Sequence, residues 1–190
     1  SRSHSAYARV PLPKTAKVLQ AGAAFDRQIA ALLDPETPVE DVTTLKVHPD
    51  LKRLGELAVS NGAIPGPSKP RGKNAPVTAP DLAIAARWGY AGQGSVTMPG
   101  PGKVTTGTRG KGYLDIHLNA TTRWKDVPEA VWNYTLGGYQ VLKKWLSYRE
   151  SALLGRPLPD EAQQFTHHVR RIASILALHE KLDAHYGASV

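Results

Sequence analysis

Between Leu12 and Leu33 the apolar side chains of Val18, Leu19, Ala23, Phe25, Ile29, Leu32 and Leu33 return at three- and four-residue intervals, the rhythm of one buried helix face. Asp34-Pro35 ends it, because proline carries no amide hydrogen and disfavours helical backbone in the residue before it. Residues 34–50 are acidic and proline-containing and read as a surface connection. In residues 51–59, Leu51, Leu54, Leu57 and Ala58 fit a helix turn, while the flanking pattern also suits a strand. Glycine and proline then punctuate residues 62–76 so often that a basic, irregular loop is expected.

Alternation replaces the helical rhythm further on. Leu82, Ile84, Ala86 and Trp88 alternate with small or charged residues, which predicts a strand with Arg87 pointing away from the Trp88 face and closed by Gly89, Gly92 and Gly94. Val96-Thr-Met and Val104-Thr-Thr, each followed by a glycine-rich basic stretch, predict short strands joined by basic turns. Residues 113–118 put Leu114, Ile116 and Leu118 on one face and Tyr113, Asp115 and His117 on the other, as in a half-buried sheet.

Val131, Trp132, Tyr134 and Leu136 predict an aromatic strand running through Gly137-Gly138 into a helix. That helix turns Val141, Leu142, Trp145 and Leu146 inward and Lys143, Lys144, Ser147 and Glu150 to the other side. Two readings fit the stretch: aromatic core with a solvated basic face, or a basic face that meets an anion. Pro157 and Pro159 separate two further helical segments, the last opening at Asp160-Glu-Ala and burying Phe165, Val169, Ile172, Ala173, Leu176 and Leu182. The order is an N-terminal helix, a central mostly antiparallel sheet of short strands with basic loops, and C-terminal helices. It predicts an α+β fold with segregated elements, not a doubly wound α/β sheet.

Length and composition narrow this picture. A chain of 190 residues suits one domain able to bury its own core. We divide it into residues 1–50 (helical entry and connection), 51–136 (β-rich) and 137–190 (helical scaffold). Without cysteine there is no disulfide, thiolate metal site or cysteine nucleophile, a composition that suits a reducing cytoplasm. No apolar run is long enough for a membrane span, and the start at Ser1 suggests a piece of a longer chain. The net charge of +8 is unevenly placed: residues 81–125 hold 6 Lys and Arg against 2 Asp and Glu, whereas residues 126–190 hold 7 against 7. A polyanion is therefore drawn to the part before Asp126.

Beyond these physical patterns, the string Val131-Trp-Asn-Tyr-Thr-Leu-Gly-Gly-Tyr-Gln-Val-Leu-Lys-Lys-Trp-Leu-Ser-Tyr-Arg-Glu150 resembles the C-terminal domain of type ISP restriction-modification enzymes. Arg9-Val-Pro-Leu-Pro13, Asp81-Leu-Ala-Ile-Ala-Ala-Arg-Trp-Gly-Tyr-Ala-Gly92, Leu114-Asp-Ile-His-Leu-Asn119 and Leu154-Gly-Arg-Pro-Leu158 extend the likeness over nearly the whole chain. The resemblance also favours a strand in residues 51–59. Such enzymes join nuclease, translocase, adenine methyltransferase and target-recognition parts in one chain. The resemblance thus implies a module that finds a DNA sequence, with S-adenosylmethionine, ATP and Mg used elsewhere in the parent enzyme and none of them in this fragment.

The chemistry of the residues agrees with a module that is not catalytic. An Asn/Asp-Pro-Pro-aromatic motif and a phosphate-binding loop are both missing, and Gly89-Tyr-Ala-Gly-Gln-Gly94 lacks the strand-loop-helix setting of a nucleotide cradle. His179, Asp183 and His185 fall near one helix face but fall short of a His-Glu-x-x-His site. His167-His168 beside Arg170-Arg171 has no nucleophile with it and suggests phosphate contacts or solvation. No catalytic residue and no metal ligand is assigned.

For DNA, the candidates are Lys69, Arg71, Lys73, Arg87, Lys103, Arg109 and Lys111 on basic loops, with Arg109, Gln93 and Asn74 as base readers. Lys143, Lys144 and Arg149 form a second set on a helix whose start near Gly138 would aim amide dipoles at a phosphate. The expected partners are double-stranded DNA and the other domains of the parent enzyme, and no membrane. The alternative is an intramolecular docking domain with little DNA contact.

Overall fold

A computed structural model describes residues 15–59, 78–158 and 161–187 of the chain. It is α+β. The main sheet has four antiparallel strands in the order β1-β6-β5-β4, made by β1 (Glu56–Val59), β4 (Val104–Thr106), β5 (Tyr113–His117) and β6 (Thr122–Pro128). Two hairpins stand beside it: β2 (Gly89–Ala91) with β3 (Thr97–Pro99), and β7 (Thr135–Leu136) with β8 (Tyr139–Gln140). The helices are α1 (Ala16–Leu33), α2 (Pro49–Lys52), α3 (Glu129–Trp132), α4 (Val141–Ser147), α5 (Ser151–Leu154) and α6 (Ala162–Gly187).

The two long helices form where the sequence rhythm places them, but the buried face expected of α1 is met in part: Leu32 is buried, Val18, Ala23, Phe25 and Ile29 are half-buried, and Leu19 and Leu33 are exposed. Thr15 caps α1 by accepting from Val18 N at 3.3 Å, which satisfies one of the amides that a helix start leaves unpaired. Leu32, Val42, Ile175 and Leu178 bury a small cluster between α1, the 34–48 connection and α6. Arg171 secures that joint, since its Nη1 donates to Ala31 O (2.8 Å) and Leu32 O (3.3 Å), the orphan carbonyls of the α1 C-terminus, and its Nη2 donates to Thr37 O. Arg171, itself buried, thus serves packing and not the solvation or phosphate contact expected for it.

The main core lies between the sheet and α3, α4 and α6. Trp124 stacks on Phe165 with ring centroids 4.0 Å apart, and Trp88 meets Trp132 edge-on at 5.4 Å. Both buried indoles keep a partner: Trp124 Nε1 donates to Ala162 O (3.1 Å) and Trp88 Nε1 to His117 O (2.6 Å). Gly102 passes so close to the Trp88 ring, at φ +61°, that a Cβ there would overlap it.

Four expectations are corrected. Residues 82–88 are not a strand: a 3₁₀ turn over Ala79–Leu82 leads into extended chain whose backbone groups are shared among separate partners. Ala85 N donates to Leu118 O (2.8 Å), Ile84 O accepts from Ser151 N (2.7 Å) and Leu82 O accepts from Leu158 N (3.0 Å). Burial still alternates, with Leu82, Ile84 and Trp88 inside and Ala85 and Arg87 outside. The packing pattern is therefore met without a ladder.

Val131 and Trp132 lie in α3, not in a strand, because the core takes both side chains from a helical turn; only Thr135–Leu136 is extended. Gly137 and Gly138, at φ +57° and +85°, make the two-residue turn to β8, after which α4 starts at Val141. Ser147 and Glu150 are buried, not on the open side of α4. Asp115 and His117 are buried as well, so β5 is covered on both faces. In residues 51–59 each reading holds for one part: Leu51 and Lys52 close α2, and β1 starts at Glu56.

Candidate nucleic-acid interface

The tip of the β4–β5 hairpin is built from a bulge in the neighbouring strand. Leu114 pairs with Val127 and Ile116 with Trp124, so Lys125 and Asp126 together face the single residue Asp115. A bulge re-aims side chains. Here it sets Asp126 at φ +53° and turns its carboxylate toward the hairpin tip. Asp126 accepts from Thr108 Oγ1 at 3.0 and 2.9 Å and from Arg109 N at 3.0 Å, which satisfies its oxygens and fixes the turn. Asp115 supports the bulge in turn, with Oδ1 accepting from Asp126 N (3.0 Å) and Oδ2 from Arg123 Nε (2.7 Å).

The Arg109 guanidinium lies 4.3 Å from the centroid of the Tyr113 ring. Its backbone is tied and its planar head rests on an aromatic face, so the side chain is oriented without using its hydrogen-bond edge. No carboxylate among the described residues lies within ion-pair distance of it. Lys111 is exposed on the same tip. Thr105 Oγ1 lies 3.0 Å from His117 Nε2, and burial first, then Lys103 and Arg123, push this imidazole below its ordinary value.

The other loop candidates are dispersed. Lys103 precedes β4 and is half-buried. Gln93 is exposed on the 3₁₀ turn between β2 and β3. Arg87 is exposed at φ +60°, and its amide donates to Glu150 Oε1 at 3.1 Å. Lys69, Arg71, Lys73 and Asn74 lie outside the described residues.

Two of the three helical candidates, Lys144 and Arg149, have internal partners. Lys144 Nζ donates to Thr97 O at 2.7 Å and sits 5.0 Å from the Tyr139 ring centroid and 4.7 Å from that of Tyr148. Arg149 lies 3.9 Å over the Trp145 ring and donates from Nη1 to Trp145 O (3.2 Å), and burial lowers its pKa from the ordinary arginine value. Lys143 is half-buried. The seven-residue α4 starts three residues after Gly138, so its first amides do not stand at the glycine turn.

The remaining ionisable clusters have structural partners. His168 packs edge-on against Trp145 at 5.6 Å, and burial, with Arg149, Arg171 and His167 adding to it, pushes its pKa down to about 4. His185 meets Phe25 edge-on at 5.6 Å, and among the described residues no group of three or more His, Cys, Asp or Glu is placed to hold a metal ion. A cavity of ≈ 1010 Å³ between α1, the 34–48 connection and α6 contains none of the predicted DNA residues.

What the sequence reading missed lies beside Arg109: Lys52, Arg53 and Lys125 line one cleft with it, of ≈ 480 Å³. The adjacent Lys52-Arg53 pair before Gly55 was a visible signal, whereas Lys125 lies within β6, on the face opposite the buried Trp124.

Fold and site together define a helix-buttressed α+β domain in which Lys52, Arg53, Arg109 and Lys125 line one cleft with no carboxylate at ion-pair distance among the described residues. The chain matches the Type ISP C-terminal specificity domain family over residues 4–181 and belongs to that family. Target recognition within a restriction system is the role this membership implies. No curated protein and no solved structure matches the chain. Among the described residues no helix is long and apolar enough to cross a membrane.

Proposed function

We propose that this domain binds duplex DNA through the loop ends of its sheet and reads a target sequence for an adenine methyltransferase carried elsewhere in the parent enzyme. The observation that supports this best is Arg109, tied through its amide to Asp126 and stacked on Tyr113 with its donors turned to no internal acid. An arginine so oriented is suited to bidentate contact with guanine O6 and N7 in the major groove. Lys111 on the same tip, and Lys103, Arg87 and Gln93 elsewhere on the loops, supply further phosphate or base contacts. The domain itself performs no chemistry in this reading; it holds the duplex while the target adenine is flipped out of the stack.

The test is binding of the purified chain to random-sequence duplex across about 50 to about 300 mM salt. Steep salt dependence is expected, with the slope reduced by roughly 1 to 2 in Arg109→Ala plus Lys111→Ala. Failure to bind at the low end of salt overturns the reading.

One observation favours docking onto other domains as a second reading. Tyr90, Val96, Leu136, Tyr139 and Tyr148 are largely exposed on the two hairpins and the helix end around Lys144. Exposed apolar groups of this kind suit a protein surface more than a phosphate backbone.

A further inference from the structure

The cleft beside Arg109 has two walls, each fixed by a polar anchor from another element. On one wall, Lys52 and Arg53 leave the end of α2. That turn is held from α6, where Arg170 donates from Nε to Leu51 O (3.1 Å) and from Nη2 to Lys52 O (2.7 Å). On the other, Asp126 fixes Thr108 and Arg109. Lys125 lies between them on β6, its carbonyl accepting from Gly55 N at 2.9 Å.

Four cations thus line one cleft, and none has a carboxylate within ion-pair distance among the described residues. Two acids share the lining. Asp126 keeps its charge while its oxygens hold the turn, and Glu56 stands opposite Lys125 in the strand pairing, so the cleft carries four cations against two carboxylates. Like charges gathered in this way repel, and a bound anion relieves that repulsion.

We propose that this cleft clamps the phosphate backbone of DNA: Lys52, Arg53 and Lys125 neutralise phosphates on one strand and set the register in which Arg109 meets the base edges. The clamp rests on the DNA-binding reading and adds residues outside the basic loops. Its contacts carry position and not sequence, because phosphates are the same at every step. Arg109 and the cleft cations therefore have separable signatures.

The whole chain is tested as wild type, as Lys52→Gln plus Arg53→Gln, as Lys125→Gln alone, and as a control charge-matched to the double variant with Lys17→Gln plus Lys181→Gln on α1 and α6. Each is measured against random-sequence duplex in a salt series and against duplexes selected from a random library, with a thermal melt to confirm folding. The double variant is expected to lower the salt slope by roughly 2 and Lys125→Gln by roughly 1. Affinity should fall by the same factor for random and selected duplexes, and the control should change the slope less.

An unchanged slope in both cleft variants, with wild type still binding, overturns the clamp and leaves the DNA-binding reading standing. Absence of binding by wild type removes both. A second probe, inorganic phosphate against chloride at equal ionic strength, separates backbone from free anion. Phosphate-dependent shifts of the Arg109 amide that vanish in the double variant, together with an unchanged DNA slope, identify a free-anion site and overturn the clamp.

Discussion

The β4–β5 tip and the helix α4 carry the same kinds of residue, basic side chains beside tyrosine or tryptophan, yet use them in opposite ways. At the tip, Asp126 binds the backbone amide of Arg109 and leaves the guanidinium edge open, with Tyr113 under its face. On and after α4, Lys144 is drawn onto Thr97 O and Arg149 onto Trp145, so the cations hold a hairpin and a helix end in place. A basic residue is available to a partner when its anchor grips the backbone. It is consumed when the anchor grips the side chain.

Glu150 marks the far limit of the consumed side. Its buried carboxylate accepts from the amides of Arg87 (3.1 Å), Trp88 (2.6 Å) and Gly89 (3.3 Å), tying the chain that enters β2 to the end of α4. Glu150→Ala removes the acceptor of three amides, that of Trp88 buried and those of Arg87 and Gly89 partly so, and should cost about 3 kcal/mol, read from urea unfolding midpoints. If the loss is below 1 kcal/mol on that scale, about the size of one ordinary hydrogen bond, the network is not what holds this region.

The next largest effect is pH dependence. His168 is held near 4 in the folded chain but titrates near 6.5 when unfolded, so the unfolded state takes up more protons between those values. Stability from this group is complete above about pH 6.5 and falls by about 3 kcal/mol as pH drops toward 4. His117 and His167 are also depressed, chiefly by burial, and add slope of the same sign. His168→Phe keeps a ring against Trp145 and should flatten most of the curve between pH 7 and 4.5, measured by denaturation at each pH; a curve of unchanged steepness assigns the sensitivity to other groups.

The smallest effects bear most directly on the contrast. Arg149→Ala should cost about 2 kcal/mol through the lost ring contact and hydrogen bond, with the salt slope for duplex DNA unchanged. Arg109→Ala should cost only about 0.5 kcal/mol of stability while lowering that slope by roughly 1. The reverse outcome, a stable Arg149→Ala with weak DNA binding, would place the interface on α4.

Much of the fold was legible because periodicity records burial. The 18–33 rhythm gives α1 as a helix, although Leu19 and Leu33 of its stripe are exposed, and the Phe165–Ile172 stripe gives the buried face of α6. Alternation at 82–88 gave the correct inside and outside positions but the wrong element, since burial can alternate along any extended chain and a strand also needs a neighbour with free backbone groups. Val131 and Trp132 misled for a related reason: β-formers in a short run take whichever conformation seats them in the core.

The sequence by itself determined the class of element at each end of the chain, the placement of excess positive charge before Asp126, and the family string around Gly137-Gly138. Only the tertiary structure decided which cations remain available. Whether Arg109 or Arg149 is open depends on partners 17 residues away in one case, Asp126, and on a neighbouring ring in the other, Trp145. The cleft is a still less local matter. Lys52, Arg53 and Lys125 meet because β1 pairs with β6, the bulge after Lys125 brings Asp126 and the Arg109 turn to the same cleft, and no pattern along the chain encodes a register between strands so far apart.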